Sequence, residues 1–387
     1  MNILIVHPCK GFYGGAEEVV VQLCKYLLRT NHQVCVLLKD APVGLQDKMG
    51  LDSTTYKNVD SWLAFRSWTK SNLWTTDVIC CFNFPATLMT FPTKKPVVWY
   101  CNEPPELFTN WKRKPIEVFN RWWVRKSGMK VVVADEFQEI RFDRTYKVYC
   151  KVIPYGIDYG FWSQGDRNKT MQKVFSSAYG PKNKVLKLLQ VGTITPYKSQ
   201  IESIIALGQL LIEGIDAELT LAGSITNGNY GYKLLRKLDY IEEVASTNGR
   251  VLGIRNKVHF LGQQTHEEVR QLYHFHDILL HPVKGQGGWL VPFEAMCAGI
   301  PVITTPEFSG ASIIKANALG QVTDDFVGTI RMVMESQEAV SMSDNMKYLE
   351  KINSEGTKQW VKENLTWEKF GEGMVEIFKE AISDKVQ

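Results

Sequence analysis

Short apolar runs recur along the chain at the spacing of buried strands, separated by helix-length intervals. Asn2 to His7 opens the series. After a loop containing Gly11, Gly14 and Gly15, the segment Ala16 to Leu28 places apolar residues at Val20, Leu23, Cys24, Leu27 and Leu28, which is a helical period. Strand-type runs follow at Val34 to Leu38, Val78 to Phe82, Val97 to Tyr100, Lys130 to Ala134 and Val148 to Ile153. Continuous rather than alternating apolar runs suit strands covered on both faces, so the pattern predicts a parallel sheet with crossover helices. A polar, aperiodic stretch from about Asp158 to Lys184 interrupts it. A second series follows at Lys187 to Val191, Glu218 to Ala222, Val258 to Leu261, Ile278 to His281 and Pro301 to Thr304, with Thr265-x-x-Glu268 as a capping box opening one helix. A last helix, Val361 to Ile382 with a Thr cap at Thr366, has no strand left to serve. The expected fold class is α/β, with two doubly wound domains: 1–165, a linker 166–184, 185–360, and a terminal helical segment 361–387.

The 387 residues suffice for two domains at about 100–200 residues each. With 44% hydrophobic and 22% charged residues, disordered, collagen-like and coiled-coil proteins are excluded. A formal net charge of +4 excludes a dedicated nucleic-acid binder unless the charge is clustered. One cluster exists: Lys112, Arg113, Lys114, Arg121, Arg125, Lys126 and Lys130, interleaved with Trp122 and Trp123. It fits either a solvated helix whose tryptophans are core or a peripheral membrane contact through Lys112–Lys130 with anionic headgroups. The eight cysteines lack paired Cys-x-x-Cys spacing and several fall in apolar runs, as buried thiols of a reducing compartment do. Met1 to Pro8 reads as a first strand rather than a signal peptide, and no run approaches 18 apolar residues. A cytoplasmic location, with or without attachment to a membrane surface, is the expectation.

In open α/β sheets ligands bind beyond the carboxyl ends of the strands. Three segments there carry candidate chemistry. Gly14 and Gly15 precede a helix, where either backbone N–H groups face a phosphate or a tight turn demands glycine. Val191-Gly192-Thr193-Ile194-Thr195-Pro196-Tyr197-Lys198 follows a strand and offers a lysine to a phosphate. His281 to Pro301 is a glycine-rich loop followed by a helix of small residues. Within it Glu294 lies among apolar neighbours, where a carboxylate is costly unless it meets a ribose diol or backbone amides.

The third segment resembles the signature of glycosyltransferase family 4, retaining enzymes of the GT-B fold. Other pieces fall in that family's order: Gly14-Gly15-Ala16-Glu17, Val152 to Asp158, Val191-Gly192 to Lys198, Phe260-Leu261-Gly262, and Trp367 in the last helix. The resemblance implies two Rossmann-like domains facing across a cleft, the final helix crossing back to the N-terminal one, a nucleoside-diphosphate sugar donor bound by the C-terminal domain, and a glycan or lipid-linked acceptor on the N-terminal side. It implies that Glu294 accepts hydrogen bonds from the ribose, that Lys198 sits on the diphosphate, and that Thr193, Gly262, Gly287, Gly288, Trp289, Leu290, Gly14 and Gly15 approach the donor. Asn102 and Glu103 are the acceptor-side candidates. Gln286 stands where the family's first Glu is usual, Thr193 where an Arg is frequent, and Asn102 where many members carry His. A front-face reaction without metal or cofactor is implied, and no Asp-x-Asp metal pair is present. The alternatives are a sugar-nucleotide-binding pseudoenzyme, or an epimerase or phosphorylase of the same fold.

Overall fold

The computed structural model describes residues 1–386 except Lys10, Phe12, Trp74, 103–111, Arg113, 166–184, 286–288 and 339–354. Glu103, Gln286, Gly287, Gly288 and the expected linker 166–184 thus lie outside the described residues. The chain divides into two compact units: Met1–Gly156 with Leu365–Gln387, and Ile157–Asn364.

The first unit carries seven parallel strands: β1 (Asn2–Pro8), β2 (Gln33–Lys39), β3 (Tyr56–Val59), β4 (Val78–Phe82), β5 (Val97–Tyr100), β6 (Lys130–Val133) and β7 (Cys150–Val152). Their order is β3-β2-β1-β4-β5-β6-β7, with Ile3 paired to Val34 on one side and to Val78 on the other. Strand β4 is buried at every residue, as the all-apolar Val-Ile-Cys-Cys-Phe run requires of a strand covered on both faces. The helix Trp367–Val386 belongs to this unit and packs on the helix Gly15–Arg29. A Cβ on Gly371 would collide with the Tyr26 ring, and Arg29 pairs with Glu368 at 2.8 Å.

The second unit holds β8 (Leu186–Val191), β9 (Ala217–Ala222), β10 (Val258–Gly262), β11 (Ile278–His281), β12 (Val302–Thr304) and β13 (Gln321–Val322), all parallel, in the order β10-β9-β8-β11-β12-β13. Leu188, Leu219, Leu221, Ile278, Leu280 and Ile303 lie in its core. In both sheets the strand order reverses beside the first strand, between β1 and β4 and between β8 and β11, and such a switch point at the carboxyl ends is where open α/β sheets take their ligands.

Two strands escape the sequence pattern, β3 and β13. Both lie at sheet edges, and their residues are half-buried or exposed, so they carry no apolar run. The expected single helix over Val361 to Ile382 is two helices, Glu355–Asn364 and Trp367–Val386. The break falls at Leu365-Thr366, where the Thr366 hydroxyl accepts from the Lys369 N–H at 3.1 Å and restarts the helix. Thr265 and Glu268 form the expected capping box of helix His266–Phe275. All eight cysteines are free thiols, and only Cys35 is not fully buried. Among the described residues no helix is long and apolar enough to cross a membrane.

Candidate functional site

In the second unit the chain leaves β8 through Gly192, whose φ of +136° is open to glycine and strained for other residues. It then enters a single turn of 3-10 helix, Pro196–Lys198. Side chains fix this turn from beneath. Gln190 donates from Nε2 to the Lys198 carbonyl at 2.7 Å and accepts from the Ser203 hydroxyl at 2.7 Å, while Gln200 donates to the Thr193 carbonyl at 3.1 Å. The result is a lysine turned inward: Lys198 is 5% exposed and its Nζ lies 5.3 Å from the Tyr197 ring centroid. Among the described residues no carboxylate pairs with it. Burial pushes its ammonium down from 10.5 to about 7. A buried cation without a counter-ion gains most from a ligand that brings negative charge with it.

Glycines also stand at the carboxyl ends of β9 and β10. Gly223, after β9, donates its N–H to the Gly262 carbonyl at 2.8 Å, and a Cβ placed on it would sit 2.5 Å from the Gly192 carbonyl carbon. Gly262 itself has φ +71° and no atom within 4 Å of its Cβ position.

Beside β8, strand β11 ends in His281. Its ring is fully buried, packed edge-on against Phe308 at 4.7 Å, and neither ring nitrogen has a hydrogen-bond partner. Burial, with the charge of Lys198 adding to it, drives this imidazole well below its ordinary pKa, so it is neutral. The Ser309 hydroxyl is likewise buried without a partner. Buried polar atoms are normally paired, so the orphaned His281 ring, within the field of Lys198, marks a place where a polar ligand completes the structure. No motif in the sequence assigns His281 a role. Its one signal is a histidine terminating the apolar run Ile278-Leu279-Leu280.

The helix Leu290–Ala298 follows. Trp289 precedes it with no side-chain cap, leaving its first amides to other acceptors, and Gly299 ends it at φ 79°. Trp289 is buried, 4.5 Å from the Phe293 ring, and Leu290 is half-buried. Glu294, half-buried, accepts from the Tyr273 hydroxyl at 3.1 Å. Burial and the Glu294 charge hold that phenol well above its usual pKa, so it remains a donor. Tyr273 lies on the helix His266–Phe275, and nothing in the sequence spacing announces the pair. Lys198, Thr193, Trp289, Leu290 and Glu294 therefore all follow β8 or β11, the two strands that flank the reversal in this sheet.

In the first unit Gly14 is extended, at φ −146°, so it is not the positive-φ turn residue; Gly11 is, at +76°. Glu17 accepts from the Gly14 N–H at 3.0 Å and contacts His7 Nε2 at 3.2 Å, tying the end of β1 to the helix that begins at Gly15. Burial raises the Glu17 carboxyl, but the His7 hydrogen bond and charge outweigh it and the net shift is downward. His7, Cys9 and Glu17 bring ligand-type atoms within 4.8 Å of one another. The carboxylate is already engaged, and burial followed by the charges of Glu17 and Asp40 keeps the Cys9 thiol protonated, so the cluster reads as a strand-to-helix tie. Asn102, after β5, donates its N–H to Asn83 Oδ1 at 2.9 Å and accepts from the Tyr155 hydroxyl, and its Nδ2 is buried without a partner.

Comparison with known proteins bears on the family and the fold. Residues 13–161 match the model of Glycosyltransferase Family 4, and residues 172–359 that of Glycosyl transferases group 1. The chain is 30% identical over 146 residues to an uncharacterized glycosyltransferase of Methanocaldococcus jannaschii, covering 38% of this chain and 34% of that protein. It is 27% identical over 230 residues to the D-inositol 3-phosphate glycosyltransferase of Rhodococcus jostii, covering 59% of this chain and 47% of that one. The matched region thus spans less than half the length of either curated relative. Among solved structures, Anabaena Alr3699/HepE in complex with UDP and glucose superimposes with a TM-score of 0.76 at 17% identity, over 98% of this chain and 99% of that one, a likeness of fold. Two Rossmann-like parallel-sheet units, a terminal helix returning to the first of them, and family models matched in each half make this chain a member of glycosyltransferase family 4, with the GT-B fold.

Proposed function

We propose that the chain is a retaining glycosyltransferase that moves a sugar from a nucleoside-diphosphate sugar to a hydroxyl of a glycan or lipid-linked acceptor, without a metal. The observation that carries this reading is Lys198: a buried ammonium with no counter-carboxylate among the described residues, beside the switch in strand order where α/β folds take their ligands. Its charge suits the diphosphate, which as leaving group gains negative charge when the bond from the sugar's anomeric carbon to the phosphate oxygen breaks. The uncapped first turn of Leu290–Ala298 adds backbone N–H groups, and Glu294, oriented by Tyr273, suits two ribose hydroxyls. The acceptor oxygen bonds the anomeric carbon on the face the phosphate leaves, and a departing phosphate oxygen takes the acceptor's proton. Such a step asks for charge stabilisation rather than a strong protein base, so Asn102 in place of His is compatible with turnover.

The test is release of nucleoside diphosphate from uridine, guanosine, adenosine and thymidine sugars, with and without chelator, and with candidate glycans and lipid extract. Uridine sugars come first because the Anabaena relative holds UDP. Chelator-resistant release from one donor, stimulated by an acceptor, is the expected outcome. Binding without release under every condition would instead establish a sugar-nucleotide-binding protein. In the same assay Glu294→Gln is expected to raise the donor KM by about tenfold or more, since a hydrogen bond to a charged group contributes roughly 1.5–3 kcal/mol. Tyr273→Phe, which only loosens the carboxylate, is expected to do less.

A further inference from the structure

The helix Lys114–Ser127 in the first unit buries Trp123 and Val124 in the core but presents a second apolar face outward. Its polar residues Glu117 and Asn120 face inward at 1% and 0% exposure, while Val118, Phe119 and Trp122 face outward at 62%, 40% and 48%. The inward polar groups are satisfied. Glu117 pairs with Lys114 and Arg121, and Asn120 donates to the Tyr146 hydroxyl at 3.0 Å and accepts from Thr87. The tryptophans divide: Trp123 is core, donating to the Thr87 carbonyl at 3.1 Å, and Trp122 is surface. Lys114, Pro115, Val118, Phe119 and Trp122 line an open apolar depression of about 640 Å³. Phe91 supports its floor, 5.2 Å from Phe119 and 6.3 Å from Trp122.

Charge selects the occupant. The helix carries Lys114, Arg121, Arg125 and Lys126 against one acid, Glu117, a net charge of +3, and that acid is turned inward. The segment bearing Phe91 is cationic too. Arg66 donates to the Phe91 carbonyl at 2.8 Å and Lys70 to the Thr90 carbonyl at 2.9 Å, and Lys94 is exposed beside them. Outward aromatic and aliphatic side chains flanked by these cations match the acyl boundary and headgroups of an anionic bilayer.

We infer that the outer face of Lys114–Ser127 is a docking surface for an anionic phospholipid bilayer, with Val118, Phe119 and Trp122 inserting and Lys114, Arg125 and Lys126 meeting the headgroups. The site does not depend on the transfer reaction, and partitioning is measured without any donor, so its failure and a failure of the transferase reading are distinguishable.

The test is flotation of the full chain with vesicles of phosphatidylcholine alone and of an equal mixture with phosphatidylglycerol, at low and high salt. Binding to the mixed vesicles, lost at high salt and absent with phosphatidylcholine, is expected. Arg125→Glu with Lys126→Glu should weaken partitioning at least about tenfold, since each basic residue contributes roughly fivefold. Trp122→Ser, which leaves the charge intact, should weaken it by a similar factor. Both variants alter exposed side chains, and an unchanged thermal melt verifies folding. Equal binding to both vesicles, no binding at low salt, wild-type partitioning in both variants, or a concentration-dependent dimer abolished by Trp122→Ser would each overturn the inference, the last in favour of a second copy of this chain.

Discussion

Replacing Lys198 by methionine is expected to lower kcat/KM for sugar transfer roughly 10²–10³-fold, the usual consequence of removing one group that stabilises developing charge, while raising the thermal stability of the free protein. The two effects share one cause. Lys198 is 5% exposed, and burial depresses its ammonium to about 7, so the folded chain carries an uncompensated desolvation cost that only an anionic ligand relieves. Methionine keeps the packed methylenes and removes the charge, stabilising the free fold by at least about 1 kcal/mol. The pH dependence identifies the source. Between about pH 7 and 10.5 the unfolded chain binds this proton and the folded chain does not, so the wild-type protein gains stability as pH rises through that window. The gap in melting temperature between variant and wild type should therefore be widest below pH 7 and close as pH rises. A variant less stable than wild type at pH 6 would show that the lysine has a partner in the free protein.

Gly223→Ala is expected to destabilise the second unit by about 3 kcal/mol or more, and to abolish donor binding in whatever protein still folds. The new methyl would lie 2.5 Å from the Gly192 carbonyl carbon, a backbone atom held by the Gly192 N–H to Ala222 carbonyl bond of 2.8 Å and so unable to rotate away as a side chain would. Gly192 leads directly into the turn that buries Lys198, so relief of the clash moves the lysine. Gly228→Ala is the control. Nothing lies within 4 Å of its Cβ position, and it stands at the start of the helix Gly228–Thr247, so it should be neutral or slightly stabilising. Equal melts for the two variants would contradict the close approach of β8 and β9 at their carboxyl ends.

The sequence pattern made the central strands legible because buried parallel strands must be apolar on both faces. It missed Tyr56–Val59 and Gln321–Val322 because edge strands need not be. Strand order was not legible, since an apolar run does not name its neighbour. The reversal between β8 and β11, which sets the position of the site, emerges only from the paired register of Ile278 with Leu188. Glu294 stood out as a carboxylate among apolar residues, but its hydroxyl partner Tyr273 is on another helix and follows from packing alone. The Lys112–Lys130 cluster left core and surface readings open for adjacent tryptophans; the hydrogen bond of Trp123 to Thr87 and the inward turn of Asn120 decide which of them points to water.

The most direct test is calorimetric titration of wild type and Lys198→Met with the nucleoside diphosphate whose sugar the release assay selects, from pH 6 to pH 9, in buffers of different ionisation enthalpy. For wild type the expected Kd is constant below about pH 7 and weakens about tenfold per unit above it, with uptake approaching one proton per ligand, because the ammonium must be restored before it can meet the diphosphate. Lys198→Met should bind far more weakly and take up no proton. Equal affinity in the two proteins across the whole range, with no proton uptake in either, would contradict the assignment of Lys198 as the group that holds the donor.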